Sequence, residues 1–150
     1  MLVPEFLAEK QVAFETLLHP PAFTAQKRAR FLHIPGKQVA KTLLLAGPRG
    51  FVLAVLPSTY HIDTEMLAVA FGGAVRLANG QEIADLFRDC EWGVVPPFGT
   101  PYGLNTIVDD SIDGESSLVF ETTTHAEAIR MKYCDFERLE MPRRLHFARR

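Results

Sequence analysis

Apolar residues recur at helical spacing near the start of the chain. Phe6, Leu7, Phe14, Leu17 and Leu18 predict a helix over residues 4–19, ended by His19-Pro20-Pro21. Thr24 reads as the N-cap of a second helix through Leu32, which Pro35-Gly36 stops. The pattern then changes to strands. Val39 to Leu45 and Phe51 to Leu56 flank the turn Gly47-Pro48-Arg49-Gly50 and predict a β-hairpin. Asp63 caps a third helix with Met66, Leu67, Ala70 and Phe71 facing inward and Gly72-Gly73 closing it. A short strand over 74–77 and a short helix over 81–87 follow, and then a Gly/Pro-rich loop over 90–102. Leu104–Val108 and Leu118–Thr122 read as strands separated by Asp113-Gly114. Thr124-His125-Ala126-Glu127 fits a capping box and predicts a helix through Lys132, with Asp135 capping a last short turn. The basic tail from Pro142 to Arg150 is expected to fray. Helices and strands mix without regular βαβ alternation. The fold class expected is α+β, with a mixed, partly barrel-like sheet and helices packed outside, over one domain spanning residues 1–150.

Composition narrows the class. The chain has 150 residues, 47% hydrophobic and 23% charged, which is one globular domain's worth. Its longest apolar run, Phe51 to Leu56, is far too short to span a membrane, and the first residues carry no basic region or apolar core of a leader. Cys90 and Cys134 make no disulfide framework. These features lead us to expect a soluble protein of the reducing cytoplasm.

Charge is unevenly placed. Residues 16–62 carry six bases (Lys27, Arg28, Arg30, Lys37, Lys41 and Arg49) and no acid, although the net charge is only −2. Such a stretch can present a positive face to a polyanion, unless the fold brings acids back to it.

Three places can carry chemistry. Lys41 would share a strand face with Val39, Leu43 and Leu45, where a lysine is costly to bury unless it is paired or used; the alternative is a lysine at the strand's open end with its charge in solvent. The loop Gly93-Val94-Val95-Pro96-Pro97-Phe98-Gly99 is stiff and can offer backbone N–H groups to a carbonyl or phosphate; alternatively it is a rigid crossover. His125, just inside a predicted helix start, would be neutral and able to accept a proton or orient water; alternatively it is an ordinary first-turn residue. No Gly-x-Ser-x-Gly elbow, phosphate loop or metal-ligand spacing is present. Cys90 lies between Asp89 and Glu91, which disfavours its thiolate.

Taken in order, His33-Ile34-Pro35-Gly36, Val39-Ala40-Lys41-Thr42-Leu43, Leu53-Ala54-Val55-Leu56-Pro57, Val75-Arg76-Leu77-Ala78, Asp89-Cys90-Glu91, Gly93 to Gly99, Thr124-His125, Ile129-Arg130-Met131 and Asp135-Phe136 resemble the YbaK family, the prolyl-tRNA synthetase-associated editing domains. The resemblance covers roughly residues 12–140. It implies hydrolysis of the ester between a wrong amino acid and a tRNA 3′ end, performed in trans by free-standing members. It places the family lysine on Lys41, the Gly-x-x-x-Pro substrate loop on Gly93 to Pro97, and the family histidine on His125, although many relatives have glycine where this chain has Thr123.

On this reading Lys41, Gly93 and His125 are the catalytic candidates, with Lys41 holding either the 3′-terminal phosphate or the ester carbonyl. Phe23, His33, Thr42, Leu43, Pro96, Pro97, Phe98, Gly99 and Thr124 are the substrate-binding candidates. Ordinary core packing is the competing role for Phe23, His33, Leu43 and Phe98. Lys27, Arg28, Arg30 and Lys37 would meet the tRNA. The implied partners are the acceptor end of a mischarged tRNA and, secondarily, an aminoacyl-tRNA synthetase. No metal or cofactor, no membrane and no DNA is expected. Alanine on the tRNA for proline is the substrate the resemblance points to. A non-catalytic module that binds tRNA or a synthetase is the alternative, and a general small-ester hydrolase is a third reading.

Overall fold

The computed structural model describes residues 3–150. Three sheets organise the chain. The largest runs β5-β2-β3-β6-β9. Its spine is the hairpin of β2 (Ala40–Gly47) and β3 (Gly50–Pro57), paired in register from Ala40 opposite Pro57 to Gly47 opposite Gly50. β6 (Asn105–Asp109) lies parallel to β3, β9 (Arg143–Leu145) parallel to β6, and β5 (Arg76–Leu77) antiparallel to β2. β3 is buried from Leu53 to Pro57, as expected of a central strand covered on both faces.

A second sheet runs β1-β8-β7, from Glu15–Leu18, Glu127–Lys132 and Ser117–Glu121. A parallel bridge between Val39 and Val119 joins it to the start of β2, giving the partly closed, barrel-like wall. β4 (His61–Ile62) pairs with β10 (Ala148–Arg149). Outside lie α1 (Val3–Glu9), α2 (Ala25–Leu32), α3 (Thr64–Phe71), α4 (Gly80–Leu86) and α5 (Tyr133–Glu140). The main core stacks aromatic rings: Phe136 lies 5.2 Å from both Phe98 and Phe120, and Phe6 lies 5.4 Å from Phe98. None of the described helices is long and apolar enough to cross a membrane.

Local signals hold where short-range chemistry decides. Thr24 caps α2, its hydroxyl accepting from the Lys27 N–H at 3.1 Å, and Asp63 caps α3 through the N–H groups of Glu65 and Met66. Within α3, Leu67 is the buried residue and Ala70 is exposed.

Four expectations need correction. Asp135 caps no separate turn, because it lies in the first turn of α5, whose N-cap is Lys132. The helix predicted over 4–19 ends early, because Gln11 turns the chain with φ 59° and residues 15–18 join β8 as β1. Phe14 and Leu17 keep helical spacing, yet they pack against different clusters. The capping box at 124–127 opens no helix. The Thr124 hydroxyl instead accepts from Ala126 N–H in a turn, and Glu127–Lys132 is strand β8, with Ile129 and Met131 entering the main core by alternation. The tail is also held in place. Buried Asp109 accepts from the N–H groups of Phe147 and Ala148 at 2.8 and 2.9 Å, and Arg149 pairs with Asp63.

Candidate functional site

Where the two larger sheets meet, β2 begins and β7 ends beside the first turn of α2. A pocket of about 390 Å³ opens there. Its walls are Phe23, Thr24, Ala25, Gln26 and Arg28 from α2 and its lead-in, Ala40 to Leu43 from β2, Gly93 and Val95 from the Gly/Pro loop, and Glu121 from β7, with Ser58, His61 and Ile83 completing it. Strand alternation explains Lys41. It shares a face with Leu43 and Leu45, and Leu45 is fully buried in the second core cluster. Lys41 sits at the end of that row, half-buried, where the face gives way to the pocket. Among the described residues no carboxylate pairs with it. Desolvation alone pushes its ammonium below the usual lysine range.

The pocket floor is a chain of charged groups. Arg28 is 3% exposed, forms an ion pair with Glu121, and donates to the Ala22 carbonyl at 3.2 Å. Glu121 also meets His125 Nδ1 at 3.2 Å, and His125 Nε2 reaches the Trp92 carbonyl at 2.9 Å. Burial raises the Glu121 carboxyl above its ordinary range, while Arg28 and then His125 pull the other way. Burial likewise lowers the Arg28 guanidinium against the pull of Glu121.

Trp92 immediately precedes Gly93, so this chain of contacts ends on the loop that lines the pocket. Gly93 has φ 88°, a conformation that side chains rarely adopt, and a Cβ there would lie 3.6 Å from His125 Nε2. Gly93→Ala is therefore expected to lose about 1–2 kcal/mol of stability from backbone strain. It should also lose activity beyond what that melting shift explains. Thermal melting beside a rate assay at a temperature well below both midpoints checks this; a variant of unchanged rate would show that the turn does not serve the site. Among the described residues neither the Gly93 nor the Val95 N–H has a hydrogen-bond partner, whereas the Val94 N–H donates to the Glu91 carbonyl at 3.0 Å.

The structure brings Lys41, Thr42, Leu43, Phe23 and Gly93 together around one pocket. His125 lies behind it, 7% exposed, with its ring 4.7 Å from that of Phe23. With no helix at 124–132, the argument from a helix N-terminus does not apply to His125; both ring nitrogens are instead held by Glu121 and Trp92. The other substrate-binding candidates lie apart from the pocket lining. His33 is the left-handed C-cap of α2, with φ 55°. Pro96 and Pro97 are buried within the loop, and Phe98 is fully enclosed in the main core. The Gly99 N–H donates to Glu140 at 2.6 Å, and Thr124 shapes the turn before β8. Lys27, Arg30 and Lys37 are exposed, on α2 and the turn after it. Arg28 is not an exposed base, because its guanidinium is committed to Glu121.

Glu121 was not among the residues singled out from the sequence. The available signal was an acid closing the apolar run Leu118-Val119-Phe120, four residues before His125. Burial, chiefly, pushes the Cys90 thiol up to about 11, which disfavours its thiolate.

A larger cavity of about 430 Å³ lies at the other end of the hairpin. Its buried carboxylate, Glu140, already accepts from Gly99 N–H and from the hydroxyls of Thr100 and Thr106 at 2.6, 2.8 and 2.5 Å. That carboxylate is used up in holding the loop to α5, whereas in the Lys41 pocket a cation and two loop N–H groups have no partner among the described residues.

Comparison with known proteins gives a consistent picture. A model of the aminoacyl-tRNA editing domain family matches residues 19–139. A proline–tRNA ligase of Thermosipho africanus is 28% identical over 100 residues, covering 66% of this chain and 17% of the ligase. The chain thus spans about a fifth of the length of the curated relatives it matches. Among solved structures, a hypothetical protein, APE2540, superimposes with a TM-score of 0.87 at 18% identity, covering 98% of this chain and 99% of the other. A candidate trans-editing enzyme for prolyl tRNA synthetase superimposes with a TM-score of 0.78 at 20% identity, covering 91% and 87%.

Proposed function

The chain belongs to the aminoacyl-tRNA editing domain family, and from that premise we propose that it hydrolyses mischarged aminoacyl-tRNA in trans, with the Lys41 pocket as its active site. The observation that carries this reading is a half-buried lysine that has no counter-ion among the described residues and shares its pocket with a glycine turn, where the Gly93 and Val95 N–H groups have no partner among those residues. Hydrolysis of an activated ester needs little more than positioning and donors for the oxyanion. Water adds to the ester carbonyl. The carbonyl oxygen takes the negative charge, and the Lys41 ammonium and the Gly93 and Val95 N–H groups supply the donors. Collapse of the adduct breaks the bond to the 3′ oxygen. The amino acid departs with a free carboxyl group, and the 3′ hydroxyl recovers a proton.

In this scheme the neighbouring 2′ hydroxyl of the substrate relays the proton, taking one from the attacking water as it gives its own to the departing 3′ oxygen, because both His125 nitrogens are occupied. His125 is a positioning residue that holds the Trp92 carbonyl and hence the Gly93 turn.

The kinship with proline–tRNA ligases supports the tRNA for proline as carrier, and the family resemblance points to a small residue such as alanine as cargo. Lys27, Arg30 and Lys37, which are exposed, are the bases we assign to the backbone phosphates of the tRNA.

Alanyl-, seryl-, cysteinyl- and prolyl-tRNA for proline, each incubated with the protein, test the reading. Release of one small amino acid well above the prolyl control is expected. A steep loss of kcat/KM between about 50 and 200 mM salt, carried mainly by KM, is also expected, because a few phosphate contacts are at stake. Binding of all four without release would replace the enzyme by a tRNA-binding module. Release from simple amino acid esters at the same rate, insensitive to salt, would leave only a general esterase.

A further inference from the structure

The pocket holds a carboxylate for which ester hydrolysis itself has no use. Resting on the editing reading, we propose that Glu121 receives the α-ammonium group of the aminoacyl moiety, so that the site accepts esters with a free amine and spares those whose amine is acylated.

The argument starts from its two oxygens. Oε2 is engaged by Arg28 and by His125 Nδ1, which fixes the orientation of the carboxylate. Oε1 has no partner among the described residues, yet it is not among their buried unpartnered atoms, so it is accessible. Glu121 lines the pocket, and we take this accessible oxygen as the atom it offers there.

Glu121 is also the single acid among the described residues of the pocket wall, set against the cations Lys41 and Arg28. An aminoacyl ester carries its ammonium on the carbon next to the reacting carbonyl. A fixed acceptor for that ammonium therefore also fixes the carbonyl relative to Lys41 and the Gly93 turn. A charge-assisted bond to a partly desolvated carboxylate is among the stronger polar contacts available. An acylated amine has lost the charge and gained bulk, and a lactyl ester, with hydroxyl in place of amine, has lost the charge alone.

The experiment compares three esters on the tRNA for proline: the aminoacyl ester released fastest in the panel above, its N-acetyl derivative, and its deaminated α-hydroxy derivative. Each rate is divided by the rate without protein, because the ammonium itself activates the ester. Wild-type protein is expected to favour the free amine over the α-hydroxy ester by about ten- to a hundredfold, the worth of one bond to a charged group. In Glu121→Gln that ratio should collapse toward one. Because glutamine leaves Arg28 without its counter-charge, Arg28→Met/Glu121→Gln is measured alongside, and it should show the same collapse.

Equal acceleration of all three esters by the wild type would overturn the inference while leaving editing intact, and so would an undiminished ratio in both variants. Absence of release from every ester would overturn the inference and the editing reading together.

Discussion

Replacing Lys41 with alanine is expected to lower deacylation by about 10²–10³-fold, the loss typical when one donor to a developing oxyanion is removed, and to leave the protein folded. The two halves of this expectation have one cause. Lys41 is half-buried, has no ion-pair partner among the described residues, and has its ammonium disfavoured by desolvation. Such a group stabilises nothing by being charged there. The sign follows from proton linkage. A lysine whose pKa is lower in the folded state binds fewer protons there than in the unfolded chain, so stability rises with pH across the interval between the two values. Lys41→Met, which keeps the stem and removes the charge, should therefore melt at the same temperature as wild type or higher, and should lose that pH slope. The reaction needs the ammonium form, so wild-type activity should fall on the alkaline side earlier than an ordinary lysine would dictate. Lys41→Arg, which cannot lose its proton there, should have whatever activity remains without that limb. Rates of amino acid release, corrected for uncatalysed ester loss, together with melting curves, check each point. Full activity in folded Lys41→Ala would remove Lys41 from the mechanism.

Lys41 was legible in the sequence because its oddity is local: a cation in an alternating apolar strand is visible within a few residues. The same holds for the hairpin of β2 and β3, the Thr24 and Asp63 caps, and the Gly93 loop, each set by short-range chemistry. Glu127–Lys132 failed because a capping-box pattern precedes it, while pairing with β1 on one side and β7 on the other decides its conformation. Long-range pairing overrode local preference there. The charge run of residues 16–62 misled in a similar way. It contains no acid, yet Glu121, 93 residues along from Arg28, folds back to pair with that one arginine. This withdraws Arg28 from the exposed bases and leaves Lys27, Arg30 and Lys37 at the surface. His125 stands out in the sequence, but its partner Trp92 comes from a loop that no spacing rule joins to it, and Glu121, four residues before it, ends a strand rather than sharing a helix turn with it.

Removing Arg28 should be the most destabilising change at the site. Arg28→Met is expected to cost about 3 kcal/mol or more, because breaking a buried pair strands the remaining charge. For a chain of this size that is a fall in Tm of roughly 6–12 °C. The stranded group is Glu121, whose carboxyl burial already raises and which Arg28 does most to pull back. Without Arg28 the carboxyl should rise further. A carboxyl with a raised folded-state pKa binds more protons folded than unfolded, so the stability it permits is present at low pH and lost as pH rises through the folded value. The deficit of Arg28→Met should therefore be smallest in mild acid and grow toward neutrality, the reverse of ordinary acid denaturation. Arg28→Met/Glu121→Gln should recover part of the loss, since the uncompensated charge is gone. If the double variant approaches wild-type stability but not wild-type preference for a free amine, the buried pair is retained for recognition of the substrate rather than for the fold. If Arg28→Met melts like wild type at every pH, Glu121 is neutral or solvated in the folded protein and is not a fixed anion at the base of the pocket.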